Sequence, residues 1–308
     1  MLRFTLRRTA QMVVVVLGVV TLVFFILRFA TGDPARLMHP PGEQDEIVQL
    51  TRERIGTDRP LVVQYGDYLL GLAQGDLGTS FHGGQPVIEE VLDTLPNTAA
   101  LAAVTIVVAS TLALILGIAA ALRPNGLLDR AVLVYVSLAL ATPSFWLAIV
   151  LVLFFAVRLS WFPAVDMEGP RSFVLPVATL VVALTPVLIR TIRQSFLDTL
   201  GDDHVRAARA RGISEKRVIL VHGLKVASLP LVTLVGLQAG LILAGAYVVE
   251  FIFNWPGIGK LTLDAVAGRN FPVIQGGVLV AALAFVLVNF VVDLVYAALD
   301  PRIRLGMK

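Results

Sequence analysis

The chain contains no cysteine, which excludes disulfide staples, thiol nucleophiles and cysteine-ligated metal. Histidine is almost as scarce: four residues, scattered along the chain, offer no metal-binding cluster. Charge is thin as well. Only 15% of the 308 residues are charged and 57% are hydrophobic, whereas soluble domains carry about 25% charged residues. With a mean hydropathy of +0.83, most of this chain belongs in a bilayer. The net charge of +3 is no sign of nucleic-acid binding, because membrane proteins keep Lys and Arg on their cytoplasmic loops for insertion reasons.

Catalytic signatures are missing too. No Ser/His/Asp set and no paired carboxylates recommend themselves, and the nearest approach to a nucleotide-binding loop fails. In "WPGIGKLT", Trp255 to Thr262, Asn254 stands where a Walker A glycine belongs, and Leu261 replaces the hydroxyl that would hold Mg²⁺. The chain is therefore read as a non-enzyme that cannot use ATP by itself.

What is present is a set of long apolar runs. A crossing helix needs about 20 apolar residues, and six segments qualify: about 9–29, 97–122, 131–157, 173–192, 230–253 and 273–298. With the N-terminus inside, the inner segments hold 16 of the 25 Lys and Arg, which obeys the positive-inside rule and places both termini in the cytoplasm. The first run exceeds a signal-peptide core, so it is read as a retained anchor.

The outer segment 30–95 shows two amphipathic pieces, Val62/Tyr65/Leu69/Leu72 and Ile88/Val91/Leu92/Leu95. Between them "GDLGTSFHGG" is turn-rich. Pro143 and Pro186 are expected to bend the third and fourth crossings. In the fifth, Gly236, Gly240 and Ala244 form a small-residue face for close helix approach, accompanied by polar Gln238, Tyr247 and Glu250. Asn289, Asp293 and Tyr296 share a face of the last crossing, where Asp293 requires a partner, read as an inner Arg.

One of the few long polar stretches, "DDHVRAARARGISEKRVILVHGLK" from Asp202, lies between the fourth and fifth crossings. Asp202 or Asp203 can cap a short helix that Gly212 ends in the left-handed region, and Ser214 can cap a second helix. The product is a helix–turn–helix elbow tethered at both ends, with Ala207, Ala208 and Ala210 keeping one face slim and Arg206, Arg209 and Arg211 around it. Tethering argues for a protein partner over nucleic acid or a lipid surface.

"RAARARG" followed by a second helix resembles the EAA loop of permease subunits of binding-protein-dependent ABC importers, in the form of the dipeptide/oligopeptide/nickel branch. "GDLGTS", "VVEFIFNWPGIGKL" running into "FPVIQG", and "VNFVVDLVYAALDPRIR" resemble the same branch in order and spacing, most of all its B-type (dipeptide) permeases. Arg206 stands where the motif's Glu would be, while Ala207, Ala208 and Gly212 keep the pattern.

The resemblance implies an all-α integral membrane protein with six transmembrane helices of the type I ABC importer permease fold. Its parts would be an anchor over 1–29, an external segment over 30–95, a transmembrane domain over 96–298 that includes the coupling elbow 196–229, and a cytoplasmic tail over 299–308. Arg206, Ala207, Ala208, Arg209, Gly212 and Ser214 would couple to an ATPase cleft. Gly236, Gln238, Gly240, Tyr247, Glu250 and Asn254 would form the pathway and gate.

Implied partners are a homologous second permease, two ATPase subunits or domains that hydrolyse ATP with Mg²⁺, an external substrate-binding protein, and membrane lipid. The chain itself would bind no cofactor, metal or nucleic acid, and would sit in a bacterial inner membrane. The implied cargo is small peptides; nickel chelates, glutathione and haem-like compounds are the alternatives within the branch. A stand-alone secondary carrier is the competing class, disfavoured because no inverted repeat or midplane acid pair is found.

Overall fold

The computed structural model describes residues 2–30, 33–40, 42–164, 167, 169–218, 234–240, 242 and 246–299. Among these residues the regular elements are all helical; an isolated antiparallel bridge joins Thr79 to Pro86. Helices over Arg8–Phe29, Val87–Leu122, Pro170–Gly201 and Phe271–Val292 are long and apolar enough to cross a membrane. A bent pair, Leu127–Ala141 with Ser144–Arg158, provides a fifth crossing if taken as one. The expected crossing at 230–253 falls partly outside the described residues, as do 219–229 of the elbow, Ala244, the side chains of Asp293 and Tyr296, and the tail beyond Leu299.

The chain divides into two compact units. The first comprises Met1–Thr98 and Pro256–Val286. Here α1 (Leu2–Ala30) is followed by α2 (Pro34–Leu37) and α3 (Asp45–Ile55), and it packs Phe24, fully buried, against Tyr65 and Tyr68 of α4 (Leu61–Ala73), with ring centroids 5.2 and 5.4 Å away. Thr21 and Tyr65 share a hydroxyl hydrogen bond of 2.6 Å. Tyr68, Leu69 and Leu72 join the same apolar cluster. Val62 does not: in the first turn of α4 nothing covers it, and it is 81% exposed.

The second amphipathic piece is not a separate helix. Ile88, Val91 and Leu95 do pack into the core, but they open α5 (Val87–Leu122), which runs unbroken for 36 residues through Pro96. At about 1.5 Å per residue this helix is roughly 54 Å long, well beyond a hydrocarbon core of about 30 Å. Leu92, on its other side, is 53% exposed. The turn-rich stretch before it breaks the helices as expected, with positive φ at Gly75, Gly78, Gly83 and Gly84. Asn270 pins this loop: it donates to Ser80 Oγ at 2.7 Å and accepts from Phe81 N at 3.0 Å.

The second unit comprises Ala99–Trp255 and Leu287–Lys308. In it α6 (Leu127–Ala141) and α7 (Ser144–Leu151, continued as a π-helix over Val152–Arg158) meet at 99°. The cause is Pro143, whose ring excludes the helical region for the residue before it; Thr142 is extended at φ −92°, ψ 116°. Pro186 acts differently. α8 (Val174–Gly201) continues through it and runs nine residues past the expected end of the fourth crossing. It is the spine of the unit, with Leu180, Leu184, Leu188, Ile189, Ile192 and Phe196 all buried. Trp255, also fully buried, meets Phe173 edge-on at 4.6 Å.

Candidate functional site

The elbow begins where α8 ends. α9 (Asp203–Ala210) follows with Asp202 at its N-cap position, but neither Asp202 nor Ser214 caps through its side chain. The expected hydroxyl and carboxylate caps are therefore not made. Asp203 instead lies in the first turn, 3.5 Å from Arg206.

The C-terminal end of α9 matches expectation closely. Gly212 has φ +75°; its N–H donates to Arg209 O at 2.9 Å and the N–H of Ile213 to Ala208 O at 3.3 Å. These are the paired bonds of a Schellman motif. Ile213 also packs on the small core of Val205, Ala208 and Val218, which supplies the motif's apolar contact. Ala208 is thus buried inside the elbow, and the slim outward edge is made by Ala207 and Ala210. Side chains at spacings of three share a helix face, so 207 and 210 point together while 205 and 208 point inward.

The arginines are held by the elbow itself. Arg206, in place of the motif's Glu, donates to the carbonyl of Gly201 at 3.0 and 3.3 Å, setting a cation at the C-terminus of α8 where the helix dipole favours it. Arg209 makes a two-pronged bond to Glu215 of α10 (Glu215–Arg217) at 2.7 and 3.1 Å. This bond locks the two arms of the elbow, and it holds the Glu215 carboxyl below its ordinary range and the Arg209 guanidinium above its own. The interaction is in place above the ordinary carboxylate range and is lost as the pH falls through the lowered value. Arg211 turns back to Ala207 O at 3.2 Å.

The residues assigned to the pathway differ in exposure among the described residues. Gly236 and Gly240 are buried, and a Cβ at Gly236 would overlap the side chain of Val292 on the closing helix Phe271–Leu299. Glu250 is fully buried and points into the packed bundle. Its carbonyl accepts from Trp255 N at 2.8 Å, closing a turn in which Asn254 adopts φ +49°. Gln238 and Tyr247 are half-buried.

Sequence reasoning missed a buried ion pair. Arg193 of α8 makes two parallel bonds to Asp129 of α6, at 2.6 and 2.8 Å. Asp129 is 1% exposed and also accepts from Asn125 N at 2.8 Å, closing the turn that opens α6. Two signals were available: an acid just before one apolar run, and an Arg just beyond the end of another.

A model of the binding-protein-dependent transport system inner membrane component matches residues 113–305, and one of the N-terminal part of such membrane components matches residues 1–102. The chain belongs to this family. The permease is 40% identical over 304 residues to the glutathione transport system permease protein GsiC of Salmonella typhi, covering 99% of each chain. It is 38% identical over the same span to the GsiC of Escherichia coli (strain K12), again with 99% coverage of each. Among solved structures, an inward-facing form of the MetNI methionine ABC transporter superposes with a TM-score of 0.59 at 17% identity, over 68% of this permease and 96% of that chain. That likeness establishes the type I importer permease fold, and with the family it makes the protein a multi-pass, non-catalytic membrane subunit.

Proposed function

We propose that this permease forms one half of an import pathway for small peptides, the other half being a homologous second permease. An external binding protein delivers the cargo, and two ATPase subunits or domains, which bind ATP and Mg²⁺ themselves, drive the cycle. The observation that carries the coupling role is the built elbow. The Schellman turn at Gly212 and the Arg209–Glu215 lock hold two short helices rigidly, leaving Ala207 and Ala210 as an edge slim enough for a cleft in the ATPase. Arg206, Ala208 and Ser214 serve the elbow's own shape, and Gly236, Gln238, Gly240, Tyr247, Glu250 and Asn254 line or support the gate.

Glutathione, the cargo in the names of the relatives above, is with nickel chelates and haem-like compounds an alternative to dipeptides and oligopeptides. Uptake of a labelled dipeptide by cells expressing the full system, competed separately with glutathione, a nickel chelate and haem, tests this. Failure to take up the labelled dipeptide, in a system that takes up labelled glutathione, the nickel chelate or haem, would refute the peptide reading.

A Cβ at Gly212 meets nothing within 4 Å, so a substitution there acts through backbone conformation alone. Valine is strongly disfavoured at φ +75°, at a cost of about 1–3 kcal/mol. Gly212→Val is expected to reduce ATP-driven uptake at least tenfold at normal membrane levels, and Gly212→Asn, which tolerates this region, to retain most of it. Normal uptake by a well-inserted Gly212→Val protein would exclude the coupling role.

The proposed topology places Ala210 inside and the 30–95 segment outside. With no native cysteine, His82→Cys and Ala210→Cys, both at exposed positions, can each be read alone. An impermeant thiol reagent should label His82→Cys in intact cells and Ala210→Cys only after permeabilisation. The reverse pattern would invert the protein in the membrane.

A further inference from the structure

Among the described residues Arg28 is a partly buried cation without a counter-ion. It sits in the last turn of α1 with its guanidinium carbon 3.5 Å over the Phe24 ring, and its Nε donates to Gln64 Oε1 at 2.9 Å. Its Nη1 is buried with no acceptor, and among the described residues no carboxylate pairs with it. Gln64 is held in this orientation by its Nε2, which donates to Thr57 O and Arg59 O. A buried charge left in this way is costly unless an anion completes it.

Arg28 borders a cavity of about 250 Å³ in the first unit, and so does a second orphaned donor. Gln275 is 8% exposed and its Nε2 has no partner. Tyr68 also lines this cavity; burial pushes its phenol up to about 12, so it remains a neutral O–H. Two exposed carboxylates line the cavity as well. Asp67 uses one oxygen on Arg59 at 3.1 Å, and Asp76 uses one on Gly78 N at 2.8 Å, which leaves the second oxygen of each unengaged among the described residues.

We infer that this cavity binds a small zwitterion of the amino-acid or short-peptide class. Its carboxylate meets Arg28, Gln275 and Tyr68, and its ammonium meets the free oxygens of Asp67 and Asp76. A bare anion would satisfy the donors but face two carboxylates, and a bare cation would leave both orphaned donors unmet. The volume equals that of roughly eight liquid waters, enough for an amino acid or a dipeptide. Guanidinium–carboxylate bonds are among the stronger polar contacts, which makes the carboxylate the anchoring end. In the proposed topology this cavity is on the outer side.

The test uses the purified full-length permease in nanodiscs, without ATPases, so its outcome does not depend on whether the chain imports peptides. Glycylglycine binding is measured by calorimetry and compared with N-acetylglycylglycine, glycylglycine amide and acetate. Wild type should bind glycylglycine, and either capped form should bind at least about tenfold more weakly, as expected when a charge-assisted bond is lost.

Gln275→Leu and Arg28→Met should each weaken glycylglycine about tenfold or more. Gln275→Leu removes a buried amide, so its thermal unfolding temperature should hold or rise, which separates lost binding from misfolding. Absence of glycylglycine binding to wild type, equal binding of the amidated form, binding of acetate alone, or unchanged affinity in Gln275→Leu would each overturn the assignment.

Discussion

A Gly236→Leu permease is expected to unfold at a markedly lower temperature and to lose ATP-driven uptake. Even a methyl group at 236 would collide with the side chain of Val292, with neighbouring Val292 atoms 2.5 and 2.7 Å from the added carbon. Two helices in contact here are held at the distance glycine sets, the small-residue mode of packing in membranes where hydrophobic burial cannot drive association. Overpacking costs typically about 1–3 kcal/mol, and a leucine exceeds the available space by much more than one methylene. The compensating pair Gly236→Ala with Val292→Ala separates two roles. If the contact is static packing, the pair restores both the unfolding temperature and uptake. If the helix at 234–240 slides on the closing helix during the cycle, stability returns and uptake does not.

Asp129→Asn should be among the most destabilising single polar substitutions in the second unit. It removes the counter-charge from Arg193 and weakens the acceptor of Asn125 N. Breaking a buried pair on one side costs about 3–5 kcal/mol, because the remaining charge stays in a low-dielectric site. Removing both charges with Asp129→Leu and Arg193→Met should cost far less, since a well-packed apolar pair replaces them. Unfolding temperatures of the three variants in the same detergent decide this. Equal losses for Asp129→Asn and the double variant would mean that the geometry of the α6 turn, rather than charge, holds α6 to α8.

The features legible in the sequence are those written in neighbouring residues. The helix stop at Gly212, the break before Pro143 and the turn-rich loop at 75–84 each follow from the conformational limits of one or two residues. Long-range pairings were not legible. Asp129 and Arg193 are separated by 64 positions, and Ser80 and Asn270 by 190, so no local periodicity relates them. The caps at Asp202 and Ser214 were expected from residue type. In the structure the elbow is tied instead by Arg206 to Gly201 O and by Arg209 to Glu215, bonds that depend on where the arms fold.

Faces were read correctly where a partner helix covers them, as at Tyr65, Leu69 and Leu72. Val62 carries the same apolar character with nothing over it. For the gate, residue type pointed to polar groups in a crossing. It could not distinguish Glu250, packed inside the bundle, from Gln238 and Tyr247, which retain exposure.

The right-angled junction at Thr142–Pro143 bears on how the chain enters the bilayer. Its first half, α6, has 15 residues, and the second half joins α7 of 8 to a π-helix of 7. At about 1.5 Å per residue neither half reaches beyond roughly 23 Å, short of a hydrocarbon core of about 30 Å. Neither half is therefore a competent insertion signal by itself, and the vertex between them exposes backbone that lipid cannot hydrogen-bond. Thr142 Oγ1 satisfies the carbonyl of Leu138 at 2.8 Å, but the junction still needs protein or water around it. Part of that protein surround is α8: Arg193 reaches across 64 positions to Asp129 of α6, so the bent pair and α8 make up one packed group rather than two separate insertions in the bundle.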